Sequence, residues 1–180
     1  RHASLIAKEY RTERNNNIVM ALDAGRVMSE PFAGQPRIDR AVSAALLASY
    51  VALKDGDRVG FFAFDSPPRP SSKPIGGARA FPTLQRVAAG IDYSANETNY
   101  TLGISTLAAG LNRRSLIIVF TEFADTISAE LMLAAVGTLL ERHLVLFVVL
   151  RDEELEAFTA VEPQAPEDVS RAVTAAGLLQ

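Results

Sequence analysis

The sequence contains no cysteine, which excludes disulfides and thiolate metal sites together and suits a reducing cytoplasm. It is also short of clustered positive charge. No basic run exceeds the pair Arg113-Arg114, and the formal net charge is -3 with a pI near 5.4. A surface that follows a nucleic-acid backbone needs a basic stripe, so that class of partner is set aside. Long apolar runs are missing as well. The longest, Leu144 to Leu150, falls far short of the roughly 20 residues that cross a bilayer. The chain opens at Arg1 with neither a Met nor a charged-then-apolar leader, so it reads as a piece of something longer. Residues 1–16 are taken as the end of a missing upstream region and 17–180 as the domain. Histidine is scarce: His2 stands at the chain start, and His143 at a helix-to-strand junction, where a cation helps to end a helix.

What is present describes one globular domain. The 180 residues are 48% hydrophobic and 22% charged, enough for a sizeable core with little room for a second one. Four short apolar runs stand out, Ile18 to Leu22, Val59 to Phe64, Leu116 to Phe120 and Leu144 to Leu150. Each is continuous, the pattern of strands buried on both faces of a parallel sheet. Between them lie helical rhythms: Ile38 to Leu53, Ala80 to Ala89, a helix opened by Thr98 or Asn99 and running to Ala109, and Ser128 to Arg142 with Ser128 as N-cap. The tail from Pro166 to Leu179 has the same rhythm, whereas the Pro-, Ser- and Gly-rich stretch from Ser66 to Ala78 reads as a loop holding at most a short edge strand. Leu5 to Tyr10 alternates in part like an edge strand. Strands that alternate with helices predict a three-layer α/β/α sandwich around a doubly wound, mostly parallel sheet with one short antiparallel edge strand.

Ligands of such a sheet sit at the carboxyl ends of its strands. Each predicted strand ends in or beside an acid: Asp23, Asp65, Glu122 and Asp152. The first and third strands are expected to be neighbours, which would bring Asp23 and Glu122 to one crevice with Thr98 above. These are hard oxygen donors of the kind Mg²⁺ takes. Arg26 is close in sequence and expected to neutralise one of the acids. Enzyme motifs are absent. A phosphatase of the haloacid dehalogenase type needs a second acid where Gly25 stands, and no Gly-x-Gly-x-x-Gly, P-loop or nucleophile elbow occurs.

Five stretches, RNNNIVMALDAGRVMSEP, GDRVGFFAFDS, ETNYTLGISTL, RRSLIIVFTEFAD and ERHLVLFVVLRD, together resemble a von Willebrand factor A (VWA) domain. More narrowly they are similar to the VWA region of the bacterial domain-of-unknown-function 58 family, over roughly Ala3 to Glu154. The resemblance implies a metal-ion-dependent adhesion site with the pattern Asp-x-Ser-x-Ser, then Thr, then Asp. On this chain Asp23 and Thr98 match, the two serines fall on Gly25 and Val27, and the last Asp falls on Glu122. Two hydroxyl ligands are therefore lost, and the expectation is a degenerate site with weak or absent Mg²⁺ or Mn²⁺ binding and no other cofactor. The resemblance further implies a protein-binding module that accompanies a MoxR-type AAA+ ATPase in assembling or activating a complex. Members of the family are often anchored by upstream transmembrane helices, with the domain in the cytoplasm. The expected contact surface is the top of the sheet, with Arg26, Ser29, Phe32, Asn99, Tyr100, Phe123 and Asp125 as its residues. The competing readings are an Mg- or Mn-dependent phosphoryl or ester hydrolase using Asp23 and Glu122, and a sensor that binds a small anion.

Overall fold

A computed structural model describes residues 15–32, 34–77, 79–123 and 125–150. In chain order the elements are β1 (Asn17–Asp23), α1 (Arg26–Ser29), β2 (Pro31–Phe32), β3 (Gln35–Pro36), α2 (Arg37–Lys54), β4 (Arg58–Phe64), β5 (Pro68–Ser71), α3 (Ala80–Ala88), α4 (Tyr100–Gly110), β6 (Ser115–Phe120), α5 (Thr126–Leu140) and β7 (Leu144–Val148). Five strands make one sheet in the order β5-β4-β1-β6-β7. The pairs β4–β1, β1–β6 and β6–β7 are parallel, and β5 is the antiparallel edge expected in the Pro-rich stretch. The helix expected over 166–179, the strand expected over 5–10 and the acid Asp152 lie outside the described residues.

The central strands are apolar without alternation because both of their faces are covered. Ile18, Met20 and Leu22 of β1 pack with Ile38, Ala41 and Ala45 of α2 and Leu84 of α3, while Val19 and Ala21 pack with Ile104 of α4 and Met132 of α5. Helices α2 and α3 therefore lie on one face and α4 and α5 on the other, giving three layers. The chain runs from β1 to β4 by way of α2, then returns past β1 to β6 by way of α4. Winding thus reverses between β1 and β6, and their carboxyl ends border the crevice where such sheets bind ligands. Among the described residues no helix is long and apolar enough to cross a membrane.

Three sequence expectations need correction. Helix α5 is capped by Asp125, whose Oδ1 accepts the backbone N–H of Ser128 at 2.8 Å, so the helix starts at Thr126 and Ser128 sits inside its first turn. Strand β7 is not buried on both faces, because it forms the edge of the sheet among the described residues, with Leu144 61% and Leu146 51% exposed. A two-stranded hairpin, β2–β3, also stands where no strand was expected.

Helix α4 crosses the sheet closely at Gly103. A Cβ placed there would lie 2.6 Å from Cδ2 and 2.9 Å from Cγ of Phe64, a ring that is itself fully buried. Helix propensity alone favours alanine over glycine by about 1 kcal/mol. Overpacking against a fixed ring costs about 1–3 kcal/mol and outweighs it. Gly103→Ala is therefore expected to destabilise the domain in urea unfolding, against the propensity scale.

Candidate functional site

Asp23 ends β1 and is 1% exposed. Burying a carboxylate is tolerable only when its oxygens are satisfied, and here both are. Oδ1 accepts the Thr98 hydroxyl at 2.6 Å and the Gly25 backbone N–H at 2.9 Å. Oδ2 accepts the Thr121 hydroxyl at 2.8 Å and the Tyr100 hydroxyl at 3.3 Å. These donors come from the loops after β1 and β6 and from the start of α4, so a single carboxylate ties together the three segments that form the rim. Burial pushes the Asp23 carboxyl above its ordinary value, outweighing the hydrogen bonds from Thr98, Gly25, Thr121 and Tyr100 that act to lower it. The Tyr100 hydroxyl is likewise pushed well up, by burial first and the neighbouring Asp23 second.

The rim is closed by backbone contacts as well. The N–H of Arg26 donates to the carbonyl of Asn96 at 2.8 Å, and the N–H of Ser94 donates to the Ser29 hydroxyl at 2.9 Å. The Asn99 N–H donates to the carbonyl of Asp65 at 2.9 Å, while the Asn99 side chain caps α4 by accepting the N–H of Leu102 at 3.0 Å. Gly25 makes this closure possible. A Cβ at that position would collide with the Thr98 hydroxyl and stand 3.2 Å from Asp23 Oδ1. The residue that removes one expected hydroxyl ligand also gives Thr98 the space to reach the carboxylate directly.

Asp23 and Thr98 therefore meet as the sequence suggested, but the rest of the set is arranged differently. The third-loop residue bonded to Asp23 is Thr121, one position before Glu122, which is partly exposed on the same loop. Arg26 forms ion pairs with Glu97 and Glu30. Its Nε donates to Glu97 at 2.7 Å and its Nη1 to Glu30 at 2.6 Å, both on the exposed side of the rim. Tyr100 is buried, 7% exposed, and lies beneath the rim with its ring 6.4 Å from that of Phe64, so it offers no exposed aromatic surface. Phe123 is half-buried with its ring 6.5 Å from Phe147. Phe32, also half-buried, lies under the guanidinium groups of Arg40 at 4.9 Å and Arg37 at 5.5 Å. Arg26, Asn99 and Asp125 are exposed and Ser29 is partly so. Sequence reasoning missed the hydroxyls of Thr121 and Tyr100 as Asp23 partners. It also missed the Asp65–Arg69 ion pair, which holds Asp65 below its ordinary value although burial acts to raise it. Among the described residues no three His, Cys, Asp or Glu side chains are grouped to hold a metal ion.

The model of a family described as protein of unknown function DUF58 matches residues 1–174. No curated protein matches the chain. Among solved structures, the conserved hypothetical protein BatB from Bacteroides thetaiotaomicron aligns with a TM-score of 0.50 at 12% identity, over 89% of this chain and 100% of that one. The SpRpn10 VWA domain aligns with a TM-score of 0.48 at 7% identity, over 77% and 90%. The pilus adhesin SpaC from Lactobacillus rhamnosus GG aligns with a TM-score of 0.48 at 17% identity, over 63% of this chain and 16% of the adhesin. This chain thus spans only a small part of that adhesin's length. The chain belongs to the DUF58 family, and its domain is a three-layer α/β sandwich around a mostly parallel sheet.

Proposed function

We propose that the domain is a protein-interaction module whose contact surface is the rim above Asp23, with a metal-ion-dependent adhesion site that no longer holds Mg²⁺ or Mn²⁺ firmly. The observation that carries this reading is the saturation of Asp23. A carboxylate offers about four lone-pair sites, and four protein donors occupy them. A cation entering the site would have to displace hydroxyl hydrogens that point at the carboxylate. It would gain no side-chain oxygen from Gly25 or Val27 in return. The rim is then left to recognise a partner through its own side chains: the Arg26–Glu97–Glu30 cluster, Ser29, Phe32, Asn99, Phe123 and Asp125. The partner proposed is a MoxR-type AAA+ ATPase, with the domain held at the cytoplasmic side of a membrane by sequence upstream.

Two measurements test this. Binding of a purified MoxR-type ATPase to the full chain is expected to weaken about tenfold or more in Arg26→Ala, a change in the range seen for charged interface contacts. Arg113→Ala, in the turn before β6 at the far end of the sheet, is expected to leave it unchanged. Equal effects, or no binding at all, would remove the partner from the account. A panel of phosphate and carboxylate esters with added Mg²⁺ or Mn²⁺ is expected to show no turnover. Turnover abolished by Asp23→Asn would establish the hydrolase instead.

A further inference from the structure

Helix α5 carries apolar side chains on its outward face as well as on the face that packs on the sheet. Met132, Val136 and Leu139 are buried in one cluster with Ile117 and Val119 of β6. On the outward side Ile127 is 70% exposed, Leu131 53%, Leu133 61% and Leu140 59%. Between them lie Ala134 and Gly137, both exposed. Glu130 is the single charged side chain in α4 and α5 together. A helix that faces only water ordinarily carries charged and polar residues on its outer side. Contiguous apolar side chains there mark a docking surface instead.

We propose that α5 packs antiparallel on α5 of a second copy of this chain, about a two-fold axis beside Gly137. This inference does not depend on the function of the rim. With Val136 turned to the sheet, the helical repeat puts Ala134 and Gly137 on the outward midline. Ile127 and Leu131 then form one flank, and Leu133 and Leu140 the other. A two-fold contact is isologous, so like flanks meet. Leu133 lies four residues before Gly137 and Leu140 three after it, so each Leu133 comes level with the second copy's Leu140. The same register brings Glu130 within about one residue's rise, 1.5 Å, of the height of the second copy's Arg142. Arg142 is exposed just beyond the helix end. Two pairs of opposite charge thus border the apolar patch, whereas a parallel arrangement would set Glu130 beside Glu130. The small Ala134 and Gly137 let the helix axes approach to the short end of the usual range of about 8–10 Å. A membrane surface suits the patch less well, because interfacial helices flank their apolar side with Lys and Arg and α5 contains neither. A contact of one 15-residue helix on its copy falls at the small end of specific interfaces, which gives a weak, reversible dimer.

The absence of native cysteine makes a direct test available. A Cβ at Gly137 meets nothing within 4 Å, so Gly137→Cys is expected to fold as the wild type does. With helix axes about 8 Å apart, two Cα atoms beside the axis fall within the roughly 4.4–6.8 Å that a disulfide needs. On mild oxidation of the full chain, Gly137→Cys is expected to link two chains. Leu47→Cys, on the α2 side of the sandwich at a position 67% exposed, is expected to stay unlinked. Sedimentation of the wild type is expected to show a dimer with a dissociation constant of about micromolar order. Glu130→Arg or Arg142→Glu alone is expected to weaken it about tenfold by setting like charges together. The double exchange is expected to restore it. A monomer at every concentration, equal linking through Leu47→Cys, or no recovery in the double exchange would overturn the proposal. A monomer that sediments with phosphatidylglycerol vesicles would also overturn it and give the face to a membrane.

Discussion

Exchanging Asp23 for alanine is expected to destabilise the domain by about 3–5 kcal/mol, the range for removing one partner of a buried charged network. The loss comes less from the carboxylate than from what it leaves behind. Three hydroxyls and the Gly25 N–H would face a buried void with nothing to accept their hydrogens. Asp23→Asn keeps the shape and one acceptor oxygen, and the hydroxyls can rotate to accept from its amide, so its cost is expected to be smaller. The two variants also separate through pH. The folded-state pKa of Asp23 is raised above 3.8, so the native state binds its proton more tightly than the unfolded chain does. Its contribution to stability is then greatest below that unfolded value and is lost as pH rises through the folded one. The stability of the wild type relative to Asp23→Asn is accordingly expected to fall with rising pH across that window, and to level off above it. Denaturant unfolding of both proteins at a series of pH values checks this, and a difference that grows with pH has the wrong sign for the account.

The second large effect is expected at Gly25. Gly25→Ala forces a Cβ onto the Thr98 hydroxyl. The substitution therefore combines overpacking, about 1–3 kcal/mol, with loss of a hydrogen bond to a carboxylate, about 1.5–3 kcal/mol. The backbone here is ordinary, with Gly25 at φ -72°, so the cost is one of space and not of conformation. Thr98→Ala by itself loses only the hydrogen bond. In the double variant Gly25→Ala/Thr98→Ala the collision with the hydroxyl is gone, and the combined loss is expected to be smaller than the sum of the single losses by about 1 kcal/mol or more. Strict additivity in a double-mutant cycle would mean that the two residues do not compete for one place.

Much of the fold was legible because it depends on runs of residues. β1 and β4 are buried on both faces, and that environment leaves a continuous apolar signature in the sequence, which β6 shares although its Leu116 and Ile118 are only partly buried. The same rule misread β7, whose run Leu144 to Val148 is as apolar as the others although the strand lies at an edge. A run reports that a segment needs cover, not where the cover comes from. The start of α5 was ambiguous since Asp125 and Ser128, three residues apart, are both capping types, and only the observed hydrogen bond ranks them. β2 and β3 have two residues each, too few for any periodicity to show.

The site was legible only as far as its loops. The ends of neighbouring strands placed Asp23 and Thr98 together, since loop position follows from strand order. Which atoms meet within the rim depends on side-chain direction. The motif register drew attention to Glu122 as an acid, whereas the hydroxyl one residue earlier, on Thr121, is the group turned towards Asp23. Tyr100 reads as an aromatic contact in any helix, and nothing in its local sequence indicates that its hydroxyl reaches back 77 residues to the end of β1. Arg26 was expected to neutralise Asp23 or Glu122 on proximity in sequence, and the geometry gives it ion pairs with Glu30 and Glu97. Glu30 and Glu97 lie on the exposed side, where a guanidinium stays hydrated, while Asp23 lies behind Gly25.

Titration of the purified chain with Mn²⁺, followed by calorimetry and by the paramagnetic broadening of bound ion, tests the closed carboxylate most directly. With every lone pair of Asp23 already taken by protein hydrogens, no saturable site tighter than about millimolar is expected, the weak end of the range for oxygen-ligand sites. Asp23→Asn is expected to leave the titration unchanged. A micromolar site that disappears in Asp23→Asn would contradict the account, because the hydroxyls would then have turned their oxygens to a metal.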